Sequence, residues 1–472
     1  SMVMDMYELT MSNGYLNQGF KDTWVAFDVF YRNNPDNGGF AIFAGLQQVV
    51  EYIENLHFSE EDVEYLRSKR LFTEEFLEYL LHFRFRGDIY AMKEGTVMYP
   101  NEPVITVVAP LIDAQLIETT ILLEINHQSL IATKTNRIVQ AANGKPVSDF
   151  GARRAHNVDA AVYGARAAYI GGAAGTATVL AGKMFHIPIS GTMAHSWVMT
   201  FDSEYDAFKA YAESYPDGTV LLVDTYDVLK SGVPNAIRTA REVLEPMGKK
   251  LIGIRLDSGD LAYLSKEARK MLDEAGLSDC MIVASNSLDE YTISSLNRQG
   301  AKIDSYGVGE RLITSSSTPV FGAVYKLVAI QKDGKFIPKI KISETAEKIT
   351  NPGIKEVYRV YDENGKAVAD YLAVKGEQIR DLEPVRYVDP VNYWKNRSFV
   401  GCRFKKLQVP VFEKGKRIYD LPDIEEIRQY VKDQLENEIW EEEQRFENAH
   451  THYLDMSPAM FELKMSLLHE EN

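Results

Sequence analysis

Four times in its middle third the chain runs through a short apolar stretch, stops at a polar or glycine residue, and turns into a helix-like segment. Residues 221–223 end at Asp224, residues 251–256 at Asp257, residues 281–284 at Ser285-Asn286, and residues 303–306 run into Gly307-Val308-Gly309. The first stops lie roughly 30 residues apart, the length of one strand–helix unit. Such units build a parallel sheet or barrel, with the chemistry at the carboxyl ends of the strands. The fold class is therefore α/β, and these stops fall where an active site belongs.

The flanks read differently. Residues 24–32 form a strand with apolar residues on both faces, so burial on both sides is expected. An amphipathic helix is predicted over 41–56. Ser59 and Thr73 are N-caps, each followed by acidic residues. Residues 86–110 are strand-like, with turns at Lys93-Glu94-Gly95 and Tyr99-Pro100-Asn101, and a helical run follows from Asp113 to about Gln140. Beyond Leu327 the chain is rich in strands, with hairpin turns at Asp333-Gly334, Asn364-Gly365 and Lys414-Gly415. Residues 423–447 read as one charged helix with Ile424, Ile427, Val431, Leu435 and Ile439 on its apolar face. Its run Glu441-Glu442-Glu443 is expected to be a solvated face, and His450 and His452 are expected at the surface.

Charge narrows the partners. With 52 Lys and Arg against 68 Asp and Glu, the formal charge is −16, which argues against a dedicated nucleic-acid or anionic-membrane binder. A local basic pocket for a small phosphorylated substrate remains compatible with it. The 2 cysteines, Cys280 and Cys402, make no disulfide framework and no cysteine-based zinc site, so a reducing cytoplasm is the expected compartment. No apolar run approaches the ~18 residues of a membrane span. Ser1 before Met2 reads as an addition, and natural residues are expected to be missing ahead of the first motif.

Several residues could carry chemistry. Asp224 and Asp227, and Arg255, Asp257, Ser258 and Asp260, cluster at two strand ends. Their carboxylates suit ribose hydroxyls or a divalent ion, or they are helix caps and loop salt bridges. Gly307 and Gly309 could offer backbone N–H groups to a phosphate, though a G-x-G alone is as well a plain turn. Phe150 beside Arg153 and Arg154 pairs a ring that can stack on a heterocycle with guanidinium groups that can fork onto phosphate. His195, in Gly191-Thr192-Met193-Ala194-His195-Ser196, could take a proton or a phosphoryl group.

Six motifs occur in one order: Asp5-Met6-Tyr7-Glu8-Leu9-Thr10-Met11, Asp149-Phe150-Gly151-Ala152-Arg153-Arg154, Gly191-Thr192-Met193-Ala194-His195-Ser196, Leu222-Val223-Asp224-Thr225-Tyr226-Asp227, Arg255-Leu256-Asp257-Ser258-Gly259-Asp260 and Val324-Tyr325-Lys326-Leu327. Together they closely resemble the nicotinate phosphoribosyltransferase family, from residue 5 to at least 330. The resemblance implies the type II phosphoribosyltransferase fold: an irregular α/β barrel-like domain, an N-terminal α/β domain and a C-terminal extension of strands and helices. It implies formation of nicotinate mononucleotide and pyrophosphate from nicotinate and 5-phosphoribosyl-1-pyrophosphate, coupled to ATP hydrolysis through a phosphohistidine. It also implies a head-to-tail homodimer with shared active sites, and Mg²⁺ held through pyrophosphate rather than by fixed protein ligands.

By the same resemblance, His195 is the phosphorylated residue, with Ser196 beside it and Asp224 supporting it or the metal. Phe150 stacks on the pyridine ring from one side, and Tyr7 of the other subunit from the opposite side. Arg255 contacts the nicotinate carboxylate, Arg153 holds phosphate, and Asp257 holds the ribose hydroxyls. Gly307 and Gly309 receive the 5′-phosphate, and Arg32 and Lys326 are cations on the pyrophosphate side. The implied organisation is a partner-lining segment 1–20, an N-terminal domain 21–115, a barrel-like domain 116–340 and a C-terminal region 341–472. The related nicotinamide phosphoribosyltransferases carry an Asp where this chain has Ala177, which favours the acid substrate here, because a carboxylate would repel nicotinate. Remaining alternatives are nicotinamide as substrate, a non-catalytic ligand-sensing scaffold, and a barrel lyase using Lys326 as a Schiff-base lysine.

Overall fold

Both ends of the chain contribute to one sheet. In the computed structural model, which describes residues 2–345 and 348–470, the chain divides into a unit of Ser1–Leu130 with Val320–Asn472 and a unit of Ile131–Pro319. The first unit holds an antiparallel seven-stranded sheet in the order Lys335–Pro338, Val324–Lys332, Trp24–Phe30, Ile105–Pro110, Asp88–Met92, Gln408–Glu413, Lys416–Arg417. Trp24–Phe30 lies between two neighbours and six of its seven residues are buried, which explains its apolar residues on both faces. Its one acid, Asp28, is paired with buried Lys355 and accepts from the Thr106 hydroxyl at 2.8 Å.

The unit boundaries therefore differ from the expected segments. Val324–Lys332 pairs with Trp24–Phe30 rather than with the barrel-like strands, and Gln408–Glu413 from the C-terminal region pairs with Asp88–Met92. Spacing along the chain carries no information about such long-range pairing. Lys326 lies in this antiparallel sheet, opposite Asp28, and not at the end of a parallel strand, which removes the ground for a barrel Schiff-base lysine.

Local expectations fare unevenly. Ser59 and Thr73 cap their helices, accepting from Asp62 N at 3.1 Å and Phe76 N at 3.3 Å. The hairpin turns form, with Asp333 and Gly334, and Lys414 and Gly415, at positive φ. The helix over 41–56 begins only at Leu46. Residues Ala41–Ile42 pair instead with Val97–Met98, and Gly45, at φ 105°, makes the turn between, its N–H held by Glu94 at 2.6 Å. The helical run from Asp113 is two helices, Leu111–Gln115 and Glu118–Ala141.

The charged C-terminal helix is also shorter than expected. Ile424–Asp433 passes into a wide turn over Gln434–Glu438 and stops. Gln434, not Leu435, takes the inward position, because its amide accepts from Val97 N at 3.0 Å and donates to Gly95 O at 2.9 Å. Glu441 and Glu442 are exposed, but Glu443 is buried and accepts the Tyr99 hydroxyl at 2.6 Å. His452 is buried too, its ring stacked on Tyr99 at 3.7 Å and its Nδ1 3.0 Å from Glu443.

The second unit is a parallel sheet in the order Gly175–Thr176, Val147–Asp149, Ser305–Val308, Met281–Ser285, Gly253–Leu256, Val220–Leu222. A parallel bridge from Thr176 to Ile189 extends one edge. Among the described residues this ladder is open. The predicted strand ends hold to within about two residues. The core beneath Val220–Leu222 and Gly253–Leu256 is made by helices such as Glu204–Ser214 and Leu261–Glu274. No helix among the described residues is long and apolar enough to cross a membrane.

Candidate active site

A cleft of about 460 Å³ opens at the carboxyl ends of the parallel strands. Phe150 follows Val147–Asp149, Ala177 follows Gly175–Thr176, Asp257 follows Gly253–Leu256, Asn286 follows Met281–Ser285 and Gly309 follows Ser305–Val308. All of them line it, together with Arg153, His195, Arg255 and Arg311.

Asp224, the first polar stop, is buried at the base of this site. Its Oδ1 lies 3.1 Å from His195 Nε2, and its Oδ2 accepts from Asp257 N at 3.2 Å and from the Ser258 hydroxyl. All its partners therefore come from the site, and the carboxylate fixes the imidazole through Nε2. Nδ1 of the half-exposed ring is left as the available nitrogen. Asp257 in turn accepts from the Ser285 hydroxyl through Oδ1, which leaves Oδ2 for a ligand.

Arg255 is the cation most enclosed by the cleft's own groups. Its side chain is largely buried, one Nη donates to Met193 O at 2.9 Å, and its Nε has no partner. Burial pulls its pKa below the ordinary arginine value, and the charges of Asp257 and Asp224 oppose that shift. It stays cationic, so the cleft holds a buried guanidinium with an open donor, a standing demand for an anion.

The turn after Val147–Asp149 is set by Asp149, whose Oδ1 accepts from Gly151 N at 2.8 Å and whose Oδ2 accepts from the Thr176 hydroxyl at 2.7 Å. This presents Phe150 next to Gly307. A Cβ at position 307 would collide with the Phe150 ring, so glycine there is already required by the ring, whatever else it serves.

Not every expected residue converges. Asp227 accepts from the N–H groups of Leu229 and Lys230, and Asp260 caps Leu261–Glu274 through Tyr263 N at 3.0 Å; both are caps. Ser196 is exposed and outside the cleft lining. Tyr7, Arg32 and Lys326 belong to the first unit. There Tyr7 is 42% exposed and its hydroxyl is pushed up by burial and by Glu118. Burial lowers Lys326, with Glu118 opposing. Ser285, itself a strand stop, and Arg311, two residues past Gly309, also line the cleft and were not among the expected site residues. Among the described residues no group of three or more His, Cys, Asp or Glu could hold a metal ion. A rim without such a group suits a cation held by phosphate oxygens rather than by fixed protein ligands.

A parallel α/β sheet whose rim joins a largely buried arginine, a half-buried aromatic ring and a carboxylate-held histidine has the parts of an enzyme for a phosphorylated sugar and a flat acidic ring. Comparison with known proteins makes that class specific. Residues 2–126 match the nicotinate phosphoribosyltransferase N-terminal domain, residues 146–365 the nicotinate phosphoribosyltransferase family, and residues 354–464 its C-terminal domain. The chain is 47% identical over 471 residues to the nicotinate phosphoribosyltransferase of Bacillus subtilis, covering 100% of this chain and 95% of the relative. It is 36% identical to that of Dictyostelium discoideum, covering 98% and 87%. The crystal structure of human nicotinic acid phosphoribosyltransferase superposes with a TM-score of 0.86 at 26% identity, covering 99% of this chain and 100% of that one. The chain belongs to the nicotinate phosphoribosyltransferase family.

Proposed function

We propose that this chain joins nicotinate to 5-phosphoribosyl-1-pyrophosphate, releasing nicotinate mononucleotide and pyrophosphate in NAD salvage, and that ATP hydrolysis drives the step through phosphorylated His195. The observation that carries the reading is Arg255: a buried guanidinium with an unpaired Nε, in a cleft that also presents Phe150 and the His195–Asp224 pair. The nicotinate carboxylate satisfies Arg255, and Phe150 stacks on the pyridine ring. Ala177 at the cleft wall carries no charge to repel the acid, which favours nicotinate over nicotinamide.

The ring nitrogen attacks C1′ of the ribose as the C1′–O bond to pyrophosphate breaks. The transition state resembles an oxocarbenium ion, so alignment and nearby negative charge dominate the rate. Asp257 Oδ2 holds the ribose hydroxyls, Arg153 a phosphate, and Gly307 and Gly309 the 5′-phosphate. Mg²⁺ held by the pyrophosphate oxygens, rather than by fixed protein ligands, would supply screening of the leaving charge. In the coupling half, His195 Nδ1 takes the γ-phosphoryl group of ATP, releasing ADP, while its Nε2–H stays on Asp224. Water later returns the histidine and releases phosphate. Tyr7, with Arg32 and Lys326 as pyrophosphate-side cations, serves the site of a second copy in a homodimer.

The test is turnover with 5-phosphoribosyl-1-pyrophosphate and Mg²⁺, with and without ATP, comparing nicotinate with nicotinamide. Nicotinate mononucleotide should form, faster with ATP. His195→Ala should keep a basal rate and lose the ATP stimulation. Preference for nicotinamide would refute the roles of Ala177 and Arg255, and no product from either base would refute the activity.

A further inference from the structure

Arg311 lines the same cleft as His195 and Arg255, yet nothing above gives it a task. The short helix Glu310–Ile313 that carries it and the loop that carries Asp289 leave adjacent parallel strands, because Ser285 and Gly307 are register partners in the pairing of Met281–Ser285 with Ser305–Val308. Asp289 comes four residues after Ser285, and Arg311 four residues after Gly307. The two side chains meet, Nη1 of Arg311 donating to Asp289 Oδ2 at 2.6 Å. Asp289 Oδ1 meanwhile accepts from Thr292 N at 2.7 Å and caps the helix Glu290–Arg298. One carboxylate thus ties a guanidinium to a helix end. Asn286 and Ser287, at φ 79° and 55°, make the tight turn that allows it.

Only one bond of that guanidinium is spent on the protein. Its side chain is 40% exposed, and its remaining N–H donors have no partner among the described residues. The other arginines of the cleft are differently placed. Arg255 is held under Met193 O, and Arg153 and Arg154, beyond the neighbouring strand Val147–Asp149, are exposed, Arg154 with Glu310 at 3.7 Å. Position along the sheet then separates the two phosphate-bearing ends of the ribosyl substrate. His195, Asp224 and Asp257 belong to the end of the sheet formed by Gly253–Leu256 and Val220–Leu222. Arg311 follows Ser305–Val308, two strands from Gly253–Leu256 and so about 10 Å away. That span matches a ribose ring with a phosphate beyond it.

We infer that Arg311 binds the 5′-phosphate of the ribosyl substrate directly, and that Asp289 is a positioning residue that aims it. The inference rests on the phosphoribosyl-transfer reading. A guanidinium pinned at one nitrogen keeps its fork geometry and loses little freedom on binding, which is what a phosphate clamp requires.

The experiment compares wild type with Arg311→Ala, Arg311→Lys and Asp289→Asn. It measures kcat, the KM of each substrate, and inhibition by ribose 5-phosphate against ribose. Arg311→Ala should raise KM for 5-phosphoribosyl-1-pyrophosphate about 10- to 100-fold. It should change kcat and the nicotinate KM far less, and remove the preference for ribose 5-phosphate over ribose. Arg311→Lys should recover part of both. Asp289→Asn keeps a good helix cap, so its Tm should hold while the same KM rises by less than in Arg311→Ala. An active Arg311→Ala with unchanged KM and unchanged phosphate preference would overturn the inference and leave the reaction intact. So would a variant in which both KM values and Tm deteriorate together and lysine restores nothing. A wild type that forms no nicotinate mononucleotide would fail one level lower, at the reading beneath.

Discussion

Two arginines drawn out of water, one fully and one largely, show how the same side chain is used for opposite ends. In the first unit Arg359 is 1% exposed and its guanidinium is held on several sides. Nε and Nη2 bond the two oxygens of Asp370 at 2.9 and 2.8 Å, Nη2 also reaches Val97 O at 2.8 Å, and the Tyr99 ring lies beneath at 5.2 Å. In the second unit Arg255 has one carbonyl and an orphaned Nε. A charge moved out of water must be paired by something. At Arg359 the protein supplies the pair, and the group holds strands Lys355–Tyr361 and Ala367–Val374 together. At Arg255 the pair is left to the ligand, so folding stability is given up where binding is wanted.

The contrast can be broken first at Arg359. Arg359→Ala leaves Asp370 stranded in the interior except for His452, 3.5 Å away, and unfolding by denaturant should show a loss of about 3–5 kcal/mol. Replacing both partners with apolar residues should recover much of that, because the stranded charge goes as well. Arg255→Ala should behave in the reverse way. It removes a cation that the fold does not need, so Tm should hold or rise, while kcat/KM for nicotinate falls about 10- to 100-fold. Discrimination against nicotinamide should shrink with it, since the carboxylate loses its partner. If Arg255→Ala melts early instead, its guanidinium is a structural group and the contrast fails.

How much of this was legible follows the same division. The parallel strand ends at Asp257, Ser285 and Gly309 could be read because each is a local event, an apolar run stopped by a polar or glycine residue; the short strands before Phe150 and Ala177 were not read, and those two residues were found through a motif and a family resemblance. His195 and Arg255 were singled out by their motifs, and the structure brings both to that rim. The first unit was far less readable. Glu443 sits in a run of three glutamates and His452 in a loop with His450, both local patterns of a wet surface. What buries them is Tyr99, more than 340 residues earlier in sequence, and no window along the chain contains that contact. Gln434 misled the helix reading for the same reason, because its partners Gly95 and Val97 lie in a distant turn. Arg311 was quoted only as part of a glycine loop, since its anchor Asp289 comes from the neighbouring strand.

The smallest effect tests whether the first unit's buried charges are as fully paired as Arg359 suggests. His452 lies between Glu443, at 3.0 Å from Nδ1, and Asp370, at 3.5 Å from Nε2. Burial alone would lower its pKa. The charges of Asp370 and Glu443, with the hydrogen bond to Glu443, outweigh that and hold it above its ordinary value of 6.5. A group raised on folding stabilises the native state fully below its unfolded value, and the contribution disappears as pH climbs through the folded one. The unfolding free energy should therefore decline as pH rises above about 6.5. In His452→Gln, which keeps a donor but cannot charge, that part of the decline should be absent. The two proteins should differ by about 1–2 kcal/mol at pH 6 and converge at alkaline pH. A difference that grows with pH would mean that the ring is neutral in the native state. The first unit would then tolerate unpaired acid in its core, and the distinction between Arg359 and Arg255 would lose its generality.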